Sequence, residues 1–114
     1  MDTNGESSMI ARVWEGSVSA GMADAYGDYL AGFGVEDYKR VPGNLGVRLL
    51  RRDDGALSHF LLLSYWATRA ALEAYAGPEY GKARYYAYDL ACLIDPSDTV
   101  RHYEVVASTC TPTS

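Results

Sequence analysis

His59 and His102 are the only two histidines in this chain of 114 residues. Imidazole titrates near neutral pH, so either could serve as a general base or acid. Glu104 follows His102 by two residues, which puts both on one side of an extended strand, where the carboxylate could orient the ring. A plainer reading is also open. Arg12, Arg48, His59, His102 and Glu104 could form a polar network on one sheet face, because charges removed from water need partners. Arg84 is a third candidate for chemistry. Its guanidinium could meet a ligand carboxylate or enolate, or pair at the surface with Glu79 or Asp89.

The aromatic residues point to a pocket. Phe60-Leu61-Leu62-Leu63-Ser64-Tyr65-Trp66 is a run of strand formers that passes without a spacer into an amphipathic helix, and Trp66 sits at the joint. There are ten tyrosines, and Tyr75, Tyr80, Tyr85, Tyr86 and Tyr88 all follow that Trp. Alternation places Phe60, Leu62, Ser64 and Trp66 on one strand face, with His59, Leu61, Leu63 and Tyr65 on the other. The expected pocket lies between the sheet and the helix, walled by Trp66, Leu62, Tyr75 and one or more of Tyr80, Tyr85 and Tyr86. Tyrosine hydroxyls could bind a phenolic or carbonyl oxygen there; the same rings could equally be core packing with wet rims.

What is missing narrows the chemistry. The chain has no G-x-S-x-G elbow, P-loop or dinucleotide fingerprint. No carboxylate, Cys or His cluster has metal-ligand spacing, so no metal site and no cofactor is expected. Cys92 and Cys110 are expected as free thiols, the first packed and the second exposed. A net charge of -5 argues against nucleic acid, which needs a basic stripe. No apolar run reaches the roughly 20 residues of a membrane span, so no membrane partner is expected. The start of the chain lacks the pattern of a signal peptide, so a cytoplasmic protein is expected.

These residues need a scaffold. Residues 1–8 read as a disordered leader, 9–107 as one domain and 108–114 as a flexible tail. Strands are expected at 9–15, 46–52, 57–66 and 99–107, with Asp53-Asp54-Gly55 as a hairpin turn. A glycine-weakened helix is expected from 20 to about 30 or 35, and a second from 67 to about 76. Gly77-Pro78 should break that helix before a further helical piece over 79–86, and a helical turn could follow in 88–94. The order β-α-β-β-α-β is that of an α+β, ferredoxin-like domain: a four-stranded antiparallel sheet with both helices on one face. The other face would be bare. With Leu61, Leu63, Leu50, Ile10 and Val106 assigned to it, a homodimer through the sheet faces is expected.

From Met9-Ile10-Ala11-Arg12-Val13-Trp14 to His102-Tyr103-Glu104-Val105-Val106, and most strongly over Phe60 to Tyr75, the chain resembles the antibiotic biosynthesis monooxygenase family of dimeric α+β barrels. The resemblance implies that Trp66 faces the helices and that His59 and Tyr65 face the dimer side. Quinone-forming members pair this Trp with an Asn four positions earlier; here that position is Leu62. Haem-degrading members carry an iron-ligating His in the segment matching Tyr80-Gly81-Lys82-Ala83-Arg84; here Arg84 stands there. The resemblance therefore implies a cofactor-independent enzyme, monooxygenase-like, acting on a small hydrophobic metabolite of aromatic or polyketide type. An isomerase or cyclase using the same pocket, or a non-catalytic binding or stress-response dimer, are the alternatives.

Overall fold

The computed structural model describes residues 9–108. The expected leader, most of the expected tail and Cys110 lie outside them. The elements run β1 (Ile10–Ser19), α1 (Ala23–Tyr29), α2 (Glu36–Tyr38), β2 (Asn44–Asp54), β3 (Leu57–Trp66), α3 (Arg69–Ala76), α4 (Ala87–Cys92) and β4 (Arg101–Glu104). The strands form one antiparallel sheet in the order β2-β3-β1-β4, and the domain is α+β and ferredoxin-like. The hairpin turns at Gly55, whose φ of 63° favours a residue without a Cβ.

β1 runs past Gly16 to Ser19, longer than the sequence suggests. Gly16 is there for side-chain room and does not end the strand. After α1 the chain widens into a π-helical turn over Leu30–Val35, and the glycines at 32 and 34 fall inside it. Thr68 caps α3, its hydroxyl accepting from the Ala71 N–H at 3.0 Å, an interaction typically worth about 1 kcal/mol. Gly77, at φ 88°, ends the helix.

The helical piece expected over 79–86 does not form. The Ala83 N–H donates to the Asp98 carbonyl and the Val100 N–H to the Gly81 carbonyl, while Lys82 bridges Thr99. These contacts draw the segment out beside the approach to β4. The helix starts instead at Ala87, where the Asp89 carboxylate accepts the Tyr86 N–H at 2.9 Å and satisfies an end that would otherwise be open.

Register assigns the faces. Ile10 pairs with Trp66 and Glu104, Arg12 with Ser64 and His102, and Trp14 with Leu62. All of these share the helix-covered face with Val47 and Leu49 of β2. This corrects two expectations. Ile10 is 2% exposed beneath the helices, not on the bare face. The polar set is also divided: Arg12, His102 and Glu104 lie on the helix side, whereas Arg48 and His59 lie on the open side with Leu50, Leu61, Leu63 and Tyr65.

The helix layer meets the sheet in two separate packed clusters. Val18, Ala23, Tyr26, Leu30, Phe60, Cys92 and Leu93 make one. Ile10, Tyr38, Trp66, Leu72 and Ala76 make the other.

Candidate functional site

A cavity of about 720 Å3 draws its walls from both clusters. That is within the range of small-molecule sites. The sheet contributes Arg12, Trp14 and Leu62; α1 and the π-helical turn contribute Tyr26, Tyr29, Leu30 and Phe33; α2 contributes Asp37 and Tyr38. Tyr75 and Ala76 come from the end of α3, Arg84, Tyr85 and Tyr86 from the segment before α4, Asp89 from α4, and Val100 from just before β4. Phe33 and Tyr86, 61% and 76% exposed, stand at the mouth.

Hydrogen bonds hold the walls. The Trp14 indole N–H donates to the Tyr85 hydroxyl at 3.0 Å, and that hydroxyl donates to the Ser97 carbonyl at 2.6 Å. Trp14 is thus fixed edge-on to Tyr85, with centroids 6.4 Å apart. The buried Asp89 carboxylate accepts from the Tyr26 hydroxyl at 2.6 Å and the Tyr29 hydroxyl at 3.2 Å. Burial, reinforced by this carboxylate, pushes both phenols above their ordinary pKa. Tyr75 is also pushed up, by burial and then by Tyr38. These phenols stay protonated as donors. Arg84 donates from Nη2 to the Ala76 carbonyl at 2.8 Å, which ties the wall to the end of α3.

The sequence candidates fall in three places. Leu62, Tyr75, Tyr85, Tyr86 and Arg84 line the cavity. Trp66 does not: it is fully buried, stacked on Tyr75 at 5.2 Å and set edge-on to Tyr38. It backs the wall through Tyr75. Tyr80 also lies outside the lining, with its ring against His102 and its hydroxyl accepting from Arg69. His59 sits on the open face, 2.7 Å from the Ser17 hydroxyl. His102 stands behind Arg12, 2.9 Å from Nη1, and its pKa is lowered to about 4 by burial and by the Arg12 and Arg69 guanidiniums. Glu104 is exposed and makes no hydrogen bond to His102 among the described residues. Trp14, Asp89 and the α1 tyrosines were missed. Trp14 and Leu62 become neighbours only through the β1–β3 register, which no local pattern reveals.

Residues 9–84 match the family model for antibiotic biosynthesis monooxygenase. The chain belongs to that family. Solved structures agree on the fold. A Bacillus cereus protein provisionally assigned as an antibiotic biosynthesis monooxygenase superposes with a TM-score of 0.65 at 14% identity, covering 91% of this chain and 99% of that one. A Mycobacterium tuberculosis heme-degrader, MhuD, solved with two hemes bound in its active site, gives 0.60 at 23% identity, covering 90% and 99%. A Nitrosomonas europaea protein, likewise provisionally assigned to the monooxygenases, gives 0.58 at 19% identity over the whole of both chains. No curated protein matches the chain.

Because one of these neighbours binds haem, the donor set here bears on the cofactor. The usual axial donors to haem iron are His nitrogen and Cys or Met sulfur. The lining holds none of them. The hydroxyls of Tyr26, Tyr29 and Tyr85 are already engaged as donors to Asp89 and Ser97. Tyrosine oxygen can also ligate haem iron, and Tyr38, Tyr75 and Tyr86 remain in the lining, so the cavity lacks the nitrogen and sulfur donors and keeps tyrosine oxygens alone. Among the described residues no three His, Cys, Asp or Glu side chains gather as a metal site, and no helix is long and apolar enough to cross a membrane.

Proposed function

We propose that this member of the antibiotic biosynthesis monooxygenase family binds a planar, electron-rich aromatic or polyketide-type metabolite in the cavity and oxygenates it without a cofactor. The observation that carries this reading is the lining: aromatic rings on several sides, with a few fixed polar groups among them. Mixed walls of this kind hold flat ligands by ring burial and orient them by a few hydrogen bonds.

The chemistry asks little of the protein. The substrate anion supplies the electrons and dioxygen accepts them. A ring CH2 becomes a C=O, one oxygen atom enters the product and the other leaves as water. The protein excludes bulk water, orients the ring and stabilises the substrate oxyanion with donors. Tyr75 and Arg84 are the donors offered by the wall. In this reading Asp37, the exposed carboxylate of the lining, takes the ring proton.

The open sheet face completes the proposal. Leu50, paired with Leu61, and Tyr103, across β1 from Tyr65, are 47% and 53% exposed there. A second copy of the chain, packed sheet to sheet, would cover them. At roughly 25 cal/mol per Å2 of apolar surface such burial contributes several kcal/mol.

The test is oxygen consumption with 1,8-dihydroxyanthrone as a probe substrate. Consumption above the protein-free rate, reduced in Tyr75→Phe and Arg84→Gln, supports oxygenation in the cavity. A rate equal to the protein-free rate rejects it. Tight binding without oxygen consumption points to the non-catalytic alternative.

A further inference from the structure

Arg12 reaches the cavity from the middle of the sheet with an uncompensated charge. Its Nη1 donates to the Tyr80 carbonyl at 2.7 Å and lies 2.9 Å from His102 Nε2. Guanidinium has donors only, so Nε2 must accept and the ring must carry its proton on Nδ1. Both partners are therefore neutral. No ion pair among the described residues involves Arg12. Of the two lining carboxylates, Asp89 is held by Tyr26 and Tyr29, and Asp37 is exposed.

We propose that Arg12 is an anion-binding group of the cavity, acting beside Arg84, and that His102 is its positioning residue, a neutral acceptor that fixes the guanidinium without cancelling its charge. A carboxylate in place of His102 would neutralise Arg12 and leave nothing for a ligand. A protonated imidazole would repel it. Burial first, then Arg12 itself, favours the neutral ring, and Arg69, which donates to the Tyr80 hydroxyl, adds a second cation to the same effect. The field of Arg12 also reaches the Tyr75 phenol, where it opposes the upward shift caused by burial, by Tyr38 and, to a lesser degree than Arg12 acts, by Asp37. A ligand oxygen beside Tyr75 would meet a hydroxyl donor and a positive field together. The ligand class is a planar ring system bearing an anionic oxygen: an enolate, phenolate or carboxylate.

This inference rests on the cavity being the binding site, and the test separates the two. The probes are anthracene-9-carboxylate and 9-anthracenemethanol, which share a ring system and differ in charge. Quenching measured in a Trp66→Phe background, where Trp14 is the one indole left, locates each in the cavity. The wild-type protein should prefer the carboxylate by about tenfold, the scale of a charge-assisted hydrogen bond. In Arg12→Gln the ratio of the two affinities should fall at least about threefold, with Arg84 keeping the remainder. In His102→Leu it should fall at least about threefold, while His102→Gln, whose amide oxygen can replace Nε2, should stay within about twofold of wild type. If His102→Leu does not fold, His102→Asn replaces it, its amide being too short to reach Arg12. Equal affinity for both probes in the wild type overturns the anion assignment and leaves the cavity reading standing. No quenching by either probe overturns both. Equal ratios in the Leu (or Asn) and Gln variants overturn the positioning role of His102.

Discussion

The indole ring of Trp14 lies over the bare Cα of Gly16, so close that a Cβ on Gly16 would stand 2.5 Å from the Trp14 Cη2 and 2.8 Å from the Leu93 Cδ2. The two residues share the helix-covered face of β1, and the missing side chain of one makes room for the ring of the other. Gly16→Ala therefore should overpack the wall, costing about 1–3 kcal/mol in chemical denaturation. It should also strain the Trp14–Tyr85 hydrogen bond and shift the tryptophan emission. An alanine variant with wild-type stability and emission would mean that the ring can turn away freely.

Tyr26→Phe should cost about 1–3 kcal/mol, because it removes a buried donor from a carboxylate and leaves Asp89 to Tyr29 and the Tyr86 N–H. The same pair sets an alkaline limit. The Tyr26 pKa is raised in the folded protein, by burial first and then by Asp89. Above the ordinary tyrosine pKa of about 10 the unfolded chain loses this proton while the native state keeps it, so stability falls as pH rises. Urea titrations above that pH should show a shallower fall in Tyr26→Phe than in wild type.

His102 acts at the acid end. Its folded-state pKa is lowered to about 4, by burial first and then by Arg12 and Arg69. Between the ordinary histidine pKa near 6.5 and that value, the unfolded state binds a proton that the native state refuses. The stabilising contribution of the neutral ring is full above about 6.5, declines as pH falls and is gone below about 4. His102→Gln should flatten the stability profile across this window. A profile with the wild-type slope would place the effect elsewhere.

Much of the fold can be read from local sequence, but little of the cavity can. The β3 strand, its hairpin turn and the alternation of His59 against Phe60 follow from residues within a few positions of one another. The phase of β1 does not, because it depends on Ile10 meeting Trp66 across 56 residues. For that reason Arg12 and His102 read as sharing a sheet face with Arg48 and His59, although they lie under the helices and those two do not. Trp66 is conspicuous at its strand–helix joint, yet it is fully buried behind Tyr75, and Trp14, embedded in an ordinary strand, forms the wall. The segment 79–86 has residues suited to a helix, but its hydrogen bonds to the Asp98–Val100 stretch hold it open. Those are tertiary partners that no local propensity encodes.

Leu61 and Leu63 test the open sheet face. If a second copy covers it, Leu61→Lys or Leu63→Lys should turn a dimer into a monomer by sedimentation velocity at micromolar concentration, since a charge buried without a partner is costly. The substituted side chains point away from the cavity, so probe binding to the monomer should persist. A wild-type monomer at that concentration would remove the sheet-to-sheet assembly from the account.

The cavity itself is tested most directly by following ring nitrogens on the two sheet faces while 1,8-dihydroxyanthraquinone is titrated into 15N-labelled protein. Trp14 Nε1 lies in the cavity wall and His59 on the opposite face, so the two report on different sites. The Trp14 indole resonance should shift in a saturable way while the His59 ring signals stay in place. Movement of His59 with Trp14 unmoved would put the ligand on the open face and contradict the cavity as the functional site.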